Sequence, residues 1–364
     1  MARADGVDVL PPGGALVPGV RRIAVLRSNS IGDFVVALPA LEAVRAAYPE
    51  AEITYLGADW HTSFLAGRPG PWDRVISVPR YAGVRGDTAA TDSSDVREFF
   101  ATQWGQRYDL ALQLHGGGRH SNPFVSRLGA RVTAGSRAAG APVLDRWMPY
   151  LPYQHEILRF LEVVGLVGAV PVTLVPQLVV TEQDRVEADR VLPPLHPPLA
   201  ALHPGANDRR RRWPVEAFAA VADSLAAAGA PVVLVGSDSD AKLTAAVCQA
   251  MRFPATDLAG RLSLGATVAL LARCRVLVGN DSGPRHLAAA VGTATVGIFW
   301  CGNLISAGPL TRGRHRVGVS FRTDCPVCGR AQGPGRCPHD VSFVADVPVD
   351  DVRREALDLL AAAP

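Results

Sequence analysis

The sequence predicts two doubly wound α/β domains of comparable size, on three observations. Short apolar runs alternate with longer helical segments, the pattern of parallel strands joined by crossover helices. The alternation pauses at a Pro- and Val-rich stretch near Val170 to Pro176 and then starts again. A chain of 364 residues also exceeds what one hydrophobic core usually serves. The expected division is a flexible tail over 1–20, a Rossmann-like domain over 21–174, a second over 175–348, and a closing helix over 349–364.

In the first half, Ile23 to Leu26 reads as a buried parallel strand and Val35 to Ala47 as a helix, with a polar loop between them. AEITYLG, RVISVP and YDLALQLH follow as strands, with helices in WHTSFLAG, DVREFFATQWGQR, PFVSRLGA and QHEILRFLEVVGLV. The loop YAGVRGDTAATDSSD reads as mobile. The second half opens with a helix in TEQDRVEADRVL and a strand and loop in PLAALHPGA. Helices in VEAFAAVADSLAAAG, DAKLTAAVCQAM, LGATVALLARC and SGPRHLAAAVG then accompany strands in PVVLVGS, RVLVGND and ATVGIFW. VDDVRREALDLLAAA reads as a terminal amphipathic helix with Asp350 at its N-cap.

Composition excludes several classes. Apolar residues make up 48% and charged residues 20%, and no apolar run approaches the roughly 20 residues of a membrane-spanning helix. The first residues lack the pattern of a secretory leader, so the expected location is cytoplasmic, with peripheral contact at the cytoplasmic membrane face left open. A net charge of +3 argues against a general nucleic-acid binder. Lys242 is the single lysine among 37 basic residues, a compositional bias without functional content. No G-x-G-x-x-G follows the first strand, and there is no phosphate-binding G-x-x-x-x-G-K-[ST] and no G-x-S-x-G nucleophile elbow.

Three strand-to-helix junctions carry candidate chemistry. In VGNDSGPRHL, Asp281, Ser282 and Gly283 lie where a helix N-terminus points unpaired N–H groups at a guest, for which a diphosphate is suited. His286 follows about one turn in. The bland alternative is a capped helix with a satisfied core histidine. In LHPGANDRRRRWP, Pro204 and Gly205 turn the chain and Arg209 to Arg212 offer forks for phosphate oxygens, or else form a solvated loop. In SNSIGDF, Asp33 is either a helix cap or a general base projecting into a cleft between the halves. A fourth junction, QLHGGGRHSNPF, offers Arg119, Ser121 and Asn122 as a polar lip for an acceptor, or a plain turn with Asn122 as cap.

Six cysteines are present. Cys248, Cys274 and Cys301 are scattered in apolar segments and read as small buried thiols. CPVCGRAQGPGRCPH instead gathers Cys325, Cys328, Cys337 and His339, a set that can complete a tetrahedral zinc site, although the C-x-H end is shorter than usual finger spacing.

The segments LRSNSIGDFVVALPALEAVRAAYPEAEITYLG, LHPGANDRRRRWP and DLAGRLSLGATVALLARCRVLVGNDSGPRHLAAAVGTATVGIF resemble the bacterial heptosyltransferases, glycosyltransferase family 9, in order and spacing across nearly the whole chain. The resemblance implies the B-type glycosyltransferase (GT-B) fold, two Rossmann-like domains facing across a cleft, the first binding acceptor and the second nucleotide-sugar. It also implies inverting transfer of a heptose-like sugar from a nucleotide-linked donor, ADP foremost, to a glycan or lipid-linked hydroxyl, as in lipopolysaccharide core synthesis. No cofactor is required for that chemistry. The family's catalytic aspartate falls on Asp33. Donor binding falls on His203, Gly205, Arg211, Arg212, Gly236, Asp240, Asp281, Ser282, Gly283 and His286. Arg211 stands where the family often has lysine, and WHTSFLAGRPGPWDR lacks the basic cluster that binds the phosphorylated lipid core in well-known members. A nucleotide-sugar epimerase of the same fold and a non-catalytic sugar-nucleotide or glycan binder are the competing functions.

Overall fold

The structure, a computed structural model, describes residues 13–86, 90–192, 198–331 and 337–362. Residues 1–12 of the expected tail and 87–89 of the expected mobile loop therefore lie outside the described residues. The chain divides into two compact units, Met1–Pro176 and Gln177–Pro364.

The first unit runs β1 (Arg22–Leu26), α1 (Ile31–Val35), α2 (Leu38–Ala47), β2 (Glu52–Gly57), α3 (Asp59–Phe64), β3 (Arg74–Ser77), α4 (Ser94–Gly105), β4 (Leu110–Gln113), α5 (Ser121–Ser126), β5 (Val132–Arg137), β6 (Arg146–Pro149) and α6 (Glu156–Gly165). The second runs α7 (Glu182–Val191), β7 (Leu199–His203), α8 (Val215–Ala227), β8 (Val232–Leu234), α9 (Ala241–Ala250), β9 (Ala255–Asp257), α10 (Leu264–Arg273), β10 (Cys274–Asn280), α11 (Gly283–Ala290), β11 (Ala294–Trp300), α12 (Cys301–Ala307), β12 (His315–Ser320) and α13 (Val349–Ala361).

Each unit holds a six-stranded sheet, ordered β3-β2-β1-β4-β5-β6 in the first and β12-β11-β10-β7-β8-β9 in the second. Numbered from its own first strand, the second is the mirror listing of the first, so both have the doubly wound order that reverses next to its first strand. Pairing is parallel throughout, for example Ile23 with Ile53 and Leu110 across β1, and Val278 with Leu202 and Val296 across β10. Helices cover both faces of such a sheet, and β1, β4 and β7 are accordingly buried along almost their whole length. The order reverses between β1 and β4 in one unit and between β7 and β10 in the other. At these points the loops leaving the strands' carboxyl ends part, leaving a crevice for a ligand.

Several details differ from expectation. The helix expected over Val35 to Ala47 is two, because the chain bends at Val36–Ala37 and Pro39 sits at the start of α2, where a proline is tolerated. Residues 13–18, expected to be loose, are fastened to the first unit. The Gly13 amide donates to the Gly165 carbonyl (3.1 Å), the Val17 amide to the Tyr48 hydroxyl (3.0 Å), and Arg146 to the Ala15 carbonyl (2.9 Å). Tyr81 and Val84, in the loop expected to be mobile, are buried. Pro348 occupies the N-cap of α13, and Asp350 lies in the first turn, where it accepts from Arg353 at 2.6 Å. Among the described residues no helix is long and apolar enough to cross a membrane.

Candidate active site

Asp33 lies in α1, directly after β1, at the reversal point of the first sheet. Its carboxylate is held from both sides. Oδ2 accepts from the Ser30 amide (3.1 Å) and hydroxyl (2.7 Å), closing a capping box, while Oδ1 accepts from the Arg27 guanidinium at 2.6 Å. The side chain is about one-third exposed, so it stays within reach of a ligand. Arg27 is itself buried and reaches the Asp33 carbonyl (3.2 Å), the Leu114 carbonyl at the end of β4 (2.8 Å) and Glu156 Oε2 (3.5 Å). Burial pulls its pKa below the usual arginine value, against the opposing charge of Asp33. Arg159 in turn pairs with Glu156. Behind the loop, Phe34 makes edge-on or tilted ring contacts with Tyr55, Trp60, His61, Phe64 and Trp72. That aromatic nest pins the residue next to Asp33.

A cavity of about 410 Å³ opens beside this carboxylate, lined by Arg27, Asn29, Asp33, Gly83, residues 115–121, Ala138, Tyr150 and Glu156. His115 Nδ1 accepts from the Ser28 amide at 3.2 Å, and burial, reinforced by the Arg27 charge, holds the imidazole down at about 3. The ring is therefore neutral, with its proton on Nε2. Of the three residues expected on an acceptor lip, Arg119 is exposed on the cavity wall. Ser121 also borders the cavity, but its hydroxyl donates to the His115 carbonyl (2.6 Å) and accepts from Gln113. Asn122 is fully buried, its amide donating to Pro142 (2.8 Å) and Ser136 (3.3 Å) carbonyls, and it neither lines the cavity nor caps α5, whose N-cap is His120. The small glycines around it let that amide turn inward: a Cβ at Gly118 would meet Asn122 at 2.4 Å.

In the second unit, the loops after β7 and β10 meet at the reversal point. Asp281 is their hub. It accepts from Arg211 (3.1 Å), Asn303 (2.9 Å) and Arg285 (3.4 Å), and lies 3.4 Å from His286 Nε2. Burial alone would raise its pKa, but the His286 hydrogen bond and the charges of Arg285, His286 and Arg211 outweigh it and hold the carboxyl at about 2. An ionised Asp281 therefore holds the guanidinium groups of Arg211 and Arg285 in place. Arg285 is fully buried beneath, over the Phe299 ring, and Gly297 makes room for it, since a Cβ there would come within 2.9 Å of Arg285.

α11 begins at Gly283 with Ser282 as N-cap. Its first-turn amides have no intrahelical partner, and Pro284 has no N–H, so the donors come from Ser282, Gly283 and Arg285. The Ser282 hydroxyl does not add to them, because it donates to the Asn280 carbonyl at 3.0 Å. The four consecutive arginines divide by role. Arg210 is bound in a fork to Asp208 and lies over the Phe343 ring, Arg212 reaches the Ala206 carbonyl (3.0 Å), Arg211 faces Asp281, and Arg209 is exposed. Asn280 joins the two loops: it accepts from the Trp213 amide (3.1 Å) and donates to the Pro204 carbonyl (2.8 Å).

His203, Gly205, Gly236 and Asp240 come together next to this site. Asp240 accepts from the Ser237 amide (3.0 Å) and hydroxyl (2.8 Å), and its carboxylate packs so closely that a Cβ at Gly205 would meet it at 2.4 Å. His203 Nδ1 donates to the Val235 carbonyl at 2.8 Å, and burial lowers its pKa. Cys325, Cys328, Cys337 and His339 converge elsewhere in the same unit, their ligand atoms within 4.8 Å of one another.

Sequence reasoning missed Arg27, His115, Glu156, Asn280 and Arg285. Arg27, His115 and Asn280 lie at or just past strand ends and Arg285 in α11, all inside or next to the motifs singled out above, but their partners are distant in sequence or buried. Glu156 lies in a segment read only as a helix.

The two doubly wound units thus carry different features, the first a held carboxylate beside a polar cavity and the second arginines near the N-terminus of α11. Residues 97–329 match the model of glycosyltransferase family 9 (heptosyltransferase). Lipopolysaccharide heptosyltransferase 2 of Salmonella typhimurium is 28% identical over 301 residues, covering 76% of this chain and 82% of that protein. Among solved structures, the glycosyl transferase family 9 protein of Veillonella parvula aligns with a TM-score of 0.77 at 20% identity, over 95% of this chain and 99% of its own. The E. coli ADP-heptose lps heptosyltransferase II aligns with a TM-score of 0.71 at 21% identity, over 93% and 98%. The chain belongs to glycosyltransferase family 9. It is a glycosyltransferase with the GT-B class of α/β fold.

Proposed function

We propose that this protein is an inverting heptosyltransferase that moves a heptose-like sugar from an ADP-linked donor to a glycan or lipid-linked hydroxyl, as its relatives' names place them in lipopolysaccharide assembly. The observation that carries the reading is the cation array at the reversal point of the second sheet, Arg211 aimed by Asp281 at the N-terminal end of α11. The donor diphosphate rests on the amides of Ser282 and Gly283, with Arg211 and Arg212 neutralising it as the leaving group departs. Arginine charge there does what a divalent cation does in other phosphate sites, so added magnesium leaves the rate unchanged. His203, Gly205, Gly236 and Asp240 frame the nucleoside.

The acceptor occupies the cavity beside Asp33. Asp33 takes the proton of its attacking hydroxyl, which adds to the anomeric carbon from the face opposite the nucleotide and inverts it. Arg119 and neutral His115 supply donors to acceptor oxygens. The enzyme works at the cytoplasmic face of the membrane and touches it peripherally.

A thermal-shift panel of ADP-, GDP-, UDP- and dTDP-sugars tests the donor assignment. A ligand that binds the native state raises its Tm by mass action. ADP-sugars shift the wild type selectively, and Arg211→Ala reduces that shift while melting normally without ligand. An equal response to all four nucleotides, or an unaltered shift in Arg211→Ala, rules the assignment out.

A further inference from the structure

Between the end of β12 at Ser320 and the start of α13 at Val349 the chain makes an excursion with no helix or strand among its described residues. We propose that this excursion is built on one tetrahedral zinc ion held by Cys325, Cys328, Cys337 and His339, and that the ion braces the arginine turn of the donor site.

The side chains already converge. Their three Sγ atoms and the histidine nitrogen lie within 4.8 Å of one another, and Cys325 Sγ is 3.6 Å from His339 Nδ1. Zinc bonds of about 2.3 Å to sulfur and about 2.0 Å to nitrogen put tetrahedral ligands roughly 3.5–3.8 Å apart, so the four need only a small contraction to close on an ion. Cys325 and Cys337 are buried although the segment is otherwise largely exposed. Three thiols leave one over after any disulfide, so pairing among themselves cannot satisfy the set.

The backbone around the first two cysteines is shaped to hold thiolates. The Gly329 amide donates to the Cys325 carbonyl (2.9 Å) and the Cys325 amide to the Arg330 carbonyl (2.9 Å), with Gly329 in the left-handed region at φ +66°. This tight turn directs the Val327 and Cys328 amides at the Cys325 sulfur and the Arg330 amide at the Cys328 sulfur. Three sulfurs and one imidazole in a closed set select zinc over oxygen-seeking cations, and four protein ligands leave no open position for catalysis.

The site is tied to the donor loop directly after its last ligand. The Ser342 hydroxyl donates to the Arg212 carbonyl (2.6 Å), and the Phe343 amide to the Arg210 carbonyl (2.6 Å). Trp213 Nε1 donates to the Val347 carbonyl (3.1 Å). The excursion therefore clamps the backbone of Arg210 and Arg212 and the indole of Trp213, and the metal fixes the clamp at its root. The consequence for donor binding rests on the function proposed above, whereas the presence of the ion does not.

Metal content separates the two. The full chain, purified without chelator or affinity metal, is analysed for metals by mass spectrometry, and metal-stripped protein is titrated with Co²⁺. One zinc per chain is expected, with Co²⁺ producing thiolate charge-transfer and tetrahedral d–d bands. Exposed Cys328 is replaced by Ser as the least disruptive variant; it and His339→Ala lose the zinc equivalent, while Cys301→Ser keeps it. Weaker ADP-sugar binding in zinc-free Cys328→Ser supports the bracing role, and unchanged binding removes that role while leaving the site intact. Zinc absent from the wild type together with no cobalt bands, or iron in its place, overturns the zinc assignment.

Discussion

Arg27 stands six residues before Asp33, and its guanidinium bonds both the carboxylate and the carbonyl of that residue, while also holding the end of β4. On the function proposed above Asp33 is the base, so Arg27, which grips it, acts as a positioning residue, and misplacement of a base by about 1 Å can cost ~10²-fold in rate. Arg27→Ala should therefore lower kcat by about two orders of magnitude with the donor KM nearly unchanged, since the arginines proposed to bind the donor belong to the second unit. Arg27→Lys should recover part of the loss, because the charge survives but the fork does not. Steady-state kinetics on both variants, with circular dichroism to confirm folding, checks this. Equal losses in donor affinity and kcat would place Arg27 elsewhere in the mechanism. The same scale shows why Asp281 could be marked as a candidate from the sequence while its partners could not. Its position after a buried strand marked it, whereas the convergence of Arg211, Arg285 and Asn303 upon it depends on residues up to 70 positions away.

At the scale of elements, the strands at the reversal point of each sheet were plain in the sequence because strands of a parallel sheet are buried on both faces and read as unbroken apolar runs. Ile23 to Leu26 and Val276 to Val278 are of this kind. Of the edge strands, β3 was read in RVISVP, but β6, β9 and β12 were not legible. β6 is Arg-Trp-Met-Pro, and β5 carries Thr, Gly, Ser and Arg, because an edge or near-edge strand is partly covered by polar neighbours such as Asp145, which accepts from Thr133. β12, with His315 and Arg316 among its residues, was missed for the same reason. Asn122 and Ser121 illustrate the remaining failure. Polar residues at a strand end have the same composition whether they face a ligand or satisfy backbone carbonyls, and here both hydrogen-bond inward to carbonyls. The 13–18 segment was read as loose because its few contacts, Gly13 to Gly165 and Val17 to Tyr48, are made by backbone amides that leave no trace in side-chain pattern.

For the whole molecule, the buried neutral histidines set the acid limit. His61 and His115, both in the first unit, are held down at about 3 by burial. A histidine whose folded pKa lies below its unfolded value of about 6.5 costs nothing above that pH, and its destabilisation grows as the pH falls, until the folded pKa is reached. At about pH 5 each amounts to about 2 kcal/mol, so the first unit should melt roughly 10 °C lower there than at about pH 7. The depressed Asp281 has the opposite profile, contributing stability above the unfolded carboxylate range and losing it as pH falls towards about 2, below this window. Calorimetry across pH 7 to about 4 reads the effect, and a first transition insensitive to pH over that range would contradict it.

The central claim, that Asp33 activates an acceptor for transfer from a nucleotide-linked sugar, is tested most directly by ADP release from ADP-heptose with and without a truncated lipopolysaccharide acceptor. Wild type should release ADP in step with acceptor glycosylation. Asp33→Asn should fall about 10²- to 10⁴-fold while an ADP-sugar still raises its Tm. Near-normal transfer by Asp33→Asn, or donor turnover that needs no acceptor, would contradict the account.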